Sequence, residues 1–138
     1  MNLYDIHSAI QSSFETVDIE GGVWQDYAPE GTDSPYAVWT PLAPVGSIDS
    51  QKEFVEVHIE TNVWGLLENQ TNVPGGEVKR SILGQKSEAL TDALHTELSG
   101  NLPAGVTVIS IFDDEPQTIT VDRLHGQVKR EHRIRVET

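Results

Sequence analysis

Between Phe54 and Gly65 the chain alternates with a period of two. Val55, Val57, Ile59, Thr61 and Val63 fall on one side of an extended segment, with Glu56, His58, Glu60 and Asn62 on the other. This predicts a half-buried strand over 53–64. Nearer the N-terminus the period is helical: Leu3, Ile6, Ala9, Ile10 and Phe14 share one stripe, Asn2 is placed as an N-cap, and Gly21-Gly22 ends the connection that follows. A strand at Val23 to Tyr27 then leads into Ala28-Pro29-Glu30-Gly31-Thr32-Asp33-Ser34-Pro35, whose prolines, glycine and Asp-Ser pair are turn chemistry. Tyr36 to Leu42 reads as a second strand. Pro41 and Pro44 cannot donate to a ladder, so it stops or lies at an edge there.

The main helix is predicted over Glu77 to Ser99, where Ile82, Leu83, Ala89, Leu90, Ala93, Leu94 and Leu98 form a stripe and Gly100 stands at the C-cap. Gly84 weakens its first turns by about 1 kcal/mol relative to alanine, which points to a regular helix only after it. Three strands follow Pro103. Val106, Val108, Ile109, Ile111 and Phe112 are apolar on both faces, as in a central strand covered at least partly on both sides. Gln117 to Leu124 alternates, and His125-Gly126 suits a tight hairpin turn into Gln127 to Glu137. That last strand puts Lys129, Glu131, Arg133, Arg135 and Glu137 on one face and Val128, Arg130, His132, Ile134 and Val136 on the other.

The order is therefore helix, three strands, helix, three strands. With no internal repeat, low-complexity tract or linker, the expectation is an α+β fold. It is a single domain over 1–138, a mostly antiparallel sheet of about five to six strands packed by two helices. A chain of 138 residues can bury a sufficient core without staples. The absence of cysteine rules out a disulfide framework, a thiolate metal site and a cysteine nucleophile. Met1 to His7 has no basic start and no apolar run of signal length. No segment reaches the roughly 18–20 apolar residues of a membrane span, so a soluble, unexported chain with no membrane partner is expected.

Charge adds asymmetry. The formal net charge is -13; residues 1–60 carry -10, and residues 123–138 carry +3 from Arg123, Lys129, Arg130, Arg133 and Arg135 against Glu131 and Glu137. So acidic a surface repels a phosphate backbone, which disfavours tight nucleic-acid binding. The basic run is either the solvated face of an edge strand or a docking strip for an acidic surface on a neighbouring subunit.

Catalytic and metal-binding patterns are weak throughout. Asp113-Asp114-Glu115 is the densest carboxylate cluster, but neighbours in a strand point to opposite faces and no glycine-punctuated calcium loop surrounds it, so an acidic turn before Pro116 is the better reading. The five histidines form no helical His-x-x-x-His pair, and His58 and His132, which could face each other across paired strands, read as polar packing. No Gly-x-Ser-x-Gly elbow or triad spacing appears. Pro74 to Ser81 lacks the ending of a phosphate loop, and Asn69-Gln70-Thr71 is a glycosylation triplet without a secretion signal. No cofactor, metal or enzymatic activity is expected.

Trp24, Trp39 and Trp64 each sit in a predicted strand, with Trp39 and Trp64 opposite the cleaner apolar alternation; there they either cover a second core layer or anchor an interface. The polar stretch Gly65 to Gly76, with Asn69 and Asn72, is long for a compact domain, and long ordered loops often contact something. Candidate interface residues are accordingly Lys129, Arg130, Arg133, Arg135, Trp39, Trp64, Asn69 and Asn72.

The opening helix, Val23-Trp24-Gln25-Asp26-Tyr27-Ala28-Pro29, Pro35-Tyr36-Ala37-Val38-Trp39, Val63-Trp64-Gly65, the helix with Glu88-Ala89-Leu90 and Ala93-Leu94, and the terminal strands come in a telling order. In that layout the chain resembles the tail terminator or tail completion proteins of long-tailed phages, over nearly its whole length. The chain departs from them in its longer 65–76 loop and its acidity, so its partner surfaces are expected to be particular to its own system. The resemblance implies a structural virion protein: a six-fold ring that caps the tail tube, ends tail polymerisation and joins the tail to the head connector. Its implied partners are other copies of itself, the tail-tube protein and a head-side neck or stopper protein, with DNA only passing through the bore. Its implied location is the virion tail or neck, after assembly in the host cytoplasm. The competing expectation is a monomeric acidic adaptor, or nucleic-acid mimic, that inhibits a basic partner.

Overall fold

The computed structural model describes residues 3–42, 54–67, 77–78, 80–120 and 125–137. Among these it contains helices α1 (Leu3–Phe14) and α2 (Arg80–Asn101) and strands β1 (Val23–Gln25), β2 (Tyr36–Pro41), β3 (Phe54–Leu67), β4 (Glu77–Val78), β5 (Thr107–Asp113), β6 (Gln117–Thr120) and β7 (His125–Glu137). The seven strands form one sheet in the order β1-β2-β3-β7-β5, with β4 beside β3 and β6 beside β7. The pairings β1–β2 and β3–β4 are parallel and the others antiparallel, giving the expected α+β architecture.

The frame is the β3–β7 ladder, which runs from Phe54 opposite Glu137 to Leu66 opposite His125. Its register matches the alternation of both strands. Val55, Val57, Ile59 and Val63 lie beside Val136, Ile134, His132 and Val128, so both apolar sides share one face. Both helices cover that face. α1 contributes Ile6, Ala9, Ile10 and Phe14, α2 contributes Leu83, Leu90, Leu94 and Leu98, and with the inward strand residues they make one buried cluster. Among the described residues, neither helix covers the other face of the sheet.

Several expectations change. β5 is an edge strand of the sheet rather than a central one, with Ile109 and Phe112 50% and 55% exposed; its two-sided apolarity reflects a surface patch and a register shift between Val108 and Ser110. β7 is central, so its basic face is not the face of an edge strand. His125 and Gly126 are paired with Leu66 and Gly65 within β7 and do not form the turn. β3 continues through Gly65 to Leu67, shortening the loop read after it. α2 starts at Arg80 and runs through Gly84 and Gly100, neither of which breaks the hydrogen-bond ladder; Gly105, at φ 85°, makes the left-handed turn after it. Residues 43–53 and 68–76, and with them Asn69 and Asn72, lie outside the described residues.

The sheet margin at β1 depends on a close approach. The Gly21 N–H donates to Pro35 O at 2.9 Å and the Ala37 N–H to Gly22 O at 3.0 Å. A Cβ at Gly21 would lie 1.9 Å from Asp33 O and 2.7 Å from the Tyr36 Cβ, so only glycine fits. The 26–35 connection thus returns alongside β1, from Asp26, whose N–H donates to Trp39 O, to Pro35.

Candidate interaction surface

The uncovered face of the sheet follows from the same alternation. On β7 it presents Lys129, Glu131, Arg133 and Arg135, directly across from Asn62, Glu60, His58 and Glu56 of β3. Polar groups pair there: Lys129 Nζ forms an ion pair with Glu60 Oε2 at 3.4 Å, and His58 Nε2 is hydrogen-bonded to Glu56 Oε1 at 3.0 Å. Exposed pairs of this kind each contribute at most about 1 kcal/mol, so the charges of this face add little to the stability of the fold. Towards the β5 margin the Arg133 guanidinium lies over the Phe112 ring, 4.4 Å from its centroid, a cation–π contact that fixes a long side chain in place. Arg133, Arg135, Phe112, Ser110 and Glu56 line a shallow groove of ≈ 200 Å³. At the other side Trp64, half-buried, stands beside Tyr36 and Gln127.

Of the sequence-predicted interface residues, Lys129, Arg133, Arg135 and Trp64 share this face. Arg130 does not. It points to the helical side, where its guanidinium donates to Glu88 Oε2 at 3.0 Å, Thr91 Oγ1 at 3.1 Å and Asp114 O at 2.7 Å, tying β7 to α2 and to the end of β5. Trp39 is fully buried on the inner face, stacked edge-on against Phe14 and His7, with its Nε1–H donating to Gln11 Oε1 at 2.6 Å. It belongs to the core and is not available to a partner. Packing beside Trp39 also holds the His7 pKa below its ordinary value, because burial outweighs the pull of Asp26.

A second constellation escaped the sequence reading. His58 and His132 lie on opposite faces, since His132 pairs with Ile59 and Asp113. Asp113 bridges two histidines: Oδ1 to His132 Nδ1 and Oδ2 to His95 Nε2, both at 2.6 Å. His132 Nε2 is in turn 3.1 Å from Thr61 Oγ1. Burial pushes the Asp113 carboxyl up, but the hydrogen bonds and charge of His132 and His95 pull harder and leave it lowered. The His132 imidazole is lowered as well, chiefly by burial, against the opposing pull of Asp113. A neutral ring donating from Nδ1 to Asp113 leaves Nε2 as the acceptor facing the Thr61 hydroxyl, whose hydrogen is shared with Arg130 O at 3.3 Å.

Thr61, His132 and Asp113 have the connectivity of a hydroxyl–imidazole–carboxylate relay. Thr61 is 1% and His132 0% exposed, however, so no substrate carbonyl can approach the hydroxyl, and the chain of bonds joins β3, β7, β5 and α2 instead. Among the described residues no group of three or more His, Cys, Asp or Glu could hold a metal ion. None of the described helices is long and apolar enough to cross a membrane. The available signal for this cluster was His132 itself, an inward-facing histidine that needs a partner once buried.

A chain of the virion of the native gene transfer agent particle shares this fold. The two superpose with a TM-score of 0.53 at 13% identity, covering 96% of this chain and 92% of that one. No protein-family model matches the chain, and no curated protein matches it. At that identity the likeness establishes a shared fold over nearly the whole of both chains and nothing finer.

Proposed function

We propose that this chain is a non-catalytic structural protein of a phage-like virion, one that forms a six-fold ring on the end of the tail tube, stops tail polymerisation and joins the tail to the head connector. The observation that carries the reading is the fold held in common, end to end, with a chain of a gene transfer agent virion. The resemblance to tail terminator and tail completion proteins, in strand signatures and element order, supplies the finer role. Two structural features support it. Thr61 and His132, the hydroxyl and imidazole of the relay-like cluster, are buried, and Lys129, Arg133 and Arg135 lie on a face of the sheet that no described helix covers. An acidic chain also suits a bore through which DNA slides without sticking.

In this role the chain meets its own copies around the ring, tail-tube protein on one side and a head-side neck or stopper protein on the other. It resides in the virion and assembles in the host cytoplasm. The test is electron microscopy of particles produced without this chain. Overlong tails, or finished tails unattached to heads, are expected; normal tail length together with normal head joining overturns the proposal.

A further inference from the structure

Six large hydrophobic side chains are exposed among the described residues: Leu3, Tyr4, Trp24, Tyr27, Ile109 and Phe112. Their placement is not uniform. Trp24 and Tyr27 belong to β1 and the connection after it, and Leu3 and Tyr4 open α1, which packs on β1; Ile109 and Phe112 belong to β5. β1 and β5 end the five-strand path, so the two apolar groups sit on opposite margins of one sheet, roughly 19 Å apart at about 4.8 Å per strand.

The charges divide the same way. The connection after β1 exposes Asp26, Glu30 and Asp33 around Tyr27, which is 76% exposed. The β5 margin presents Arg133 held over Phe112, with Arg135, the Ser110 hydroxyl and Glu56 in the adjoining groove, the Glu56 carboxylate being bonded to His58. Among the described residues no carboxylate lies within ion-pair distance of Arg133. One margin is therefore acidic and aromatic and the other is arginine and aromatic, the composition that dominates binding energy at protein interfaces.

We infer that the acidic 26–33 connection of one copy docks into the Arg133–Arg135–Phe112 groove of the next. Glu30 and Asp33 meet the two guanidiniums, and Tyr27 packs against Phe112. Because the two patches differ and lie on opposite margins, the contact is head-to-tail rather than two-fold, and repeating it generates either a closed ring or an open fibre. The contact itself stands on the placement of the patches; only its closure at six copies rests on the ring reading above.

The test is a charge swap followed by sedimentation velocity up to millimolar concentration, with thermal melts to confirm folding. Arg133→Glu with Arg135→Glu, and separately Glu30→Lys with Asp33→Lys, should each weaken self-association at least about tenfold, and a chain carrying all four changes should recover most of it. Because the chain has no cysteine, Tyr27→Cys and Phe112→Cys proteins can also be mixed and treated with a short bis-maleimide. Joining of the two different variants in preference to either with itself is expected. Failure of the swap to restore association, equal self-joining, or a wild type that stays monomeric at millimolar concentration overturns the contact. If the swap works but the wild type grows without a fixed size, the contact stands and the ring reading fails. Rings of fixed size whose association ignores the swap refute the contact alone.

Discussion

Replacing Asp113 with alanine separates the enclosed cluster from the rest of the core. The carboxylate accepts from His132, which is fully buried, and from His95, whose side chain is 44% exposed. In Asp113→Ala the His95 ring turns to water at little loss, but His132 Nδ1–H has no other acceptor in the arrangement described. Leaving a buried donor unpaired costs about 1–3 kcal/mol, and the hydrogen bond to a charged acceptor is lost with it, so an overall loss of about 2–3 kcal/mol is expected. That is a large share of the roughly 5–15 kcal/mol typical of a folded domain. It corresponds to a fall of about 6–15 °C in melting temperature.

The control is His95→Ala, which removes the half-exposed partner and should lower stability by no more than about 1 kcal/mol. Denaturant unfolding of the three proteins, followed by far-UV circular dichroism, gives the comparison as shifts in midpoint at constant slope. Equal, small losses in the two variants, or a larger loss for His95→Ala, would refute the assignment of His132 as the group that depends on Asp113.

Acid titration of the same proteins supplies an independent reading. Because the folded His132 pKa lies below its ordinary 6.5, the unfolded chain binds more protons below that pH. Stability is thus full above 6.5 and declines as the pH falls towards the folded value. The Asp113 pKa lies below its ordinary 3.8, so its contribution persists down to that pH and is lost only below it. Asp113→Ala removes the groups that raise the His132 pKa and leaves burial unopposed, so its decline between about pH 6.5 and 4 should be steeper than in the wild type.

Other expectations concern single contacts. Trp39→Phe removes the Nε1–H bond to Gln11 and should cost about 1–2 kcal/mol; it should also delete the most blue-shifted part of the tryptophan emission, since Trp39 is fully buried and Trp24 is 38% exposed. Gly21→Ala drives a Cβ to 1.9 Å from Asp33 O and should abolish or severely destabilise folding, as judged by a lost or much lower melting transition. Gly84→Ala, within α2 and with nothing within 4 Å of the new Cβ, should raise stability by about 1 kcal/mol in denaturant unfolding.

What could be read from the sequence follows from how local the determining physics is. β3 and β7 were legible because Val55-Val57-Ile59 and Val128-Ile134-Val136 alternate with charge over a long run, and one face of each had to be buried. In β2 the neighbours Ala37, Val38 and Trp39 are all apolar, so the phase of the strand was undetermined until pairing set Ala37 opposite Val63 and turned Trp39 inward. β5 misled for a related reason: an edge carrying Ile109 and Phe112 has the composition of a central strand. The Asp113–His132 bond was hidden by the register shift at Ser110, which decides that Asp113 faces inward with His132. Arg130 was assigned correctly to the inner face by alternation but grouped with the docking strip by charge, and geometry favours the former.

The two faces of this sheet use similar side chains for opposite ends. On the helical face Arg130, His132, Asp113 and Thr61 are each held by fixed partners, so their ionisable chemistry is consumed in joining α2 to three strands. On the bare face Lys129 pairs with Glu60 near the surface, where such a pairing contributes little to folding, and Arg133 lies over the Phe112 ring. Substitutions at the first set should therefore lower stability, whereas those at the second should leave the melt unchanged and, under the proposed contact between copies, weaken self-association. An architecture that keeps the charges of its bare face apart from those bonded within its core can vary the first while the second remains fixed.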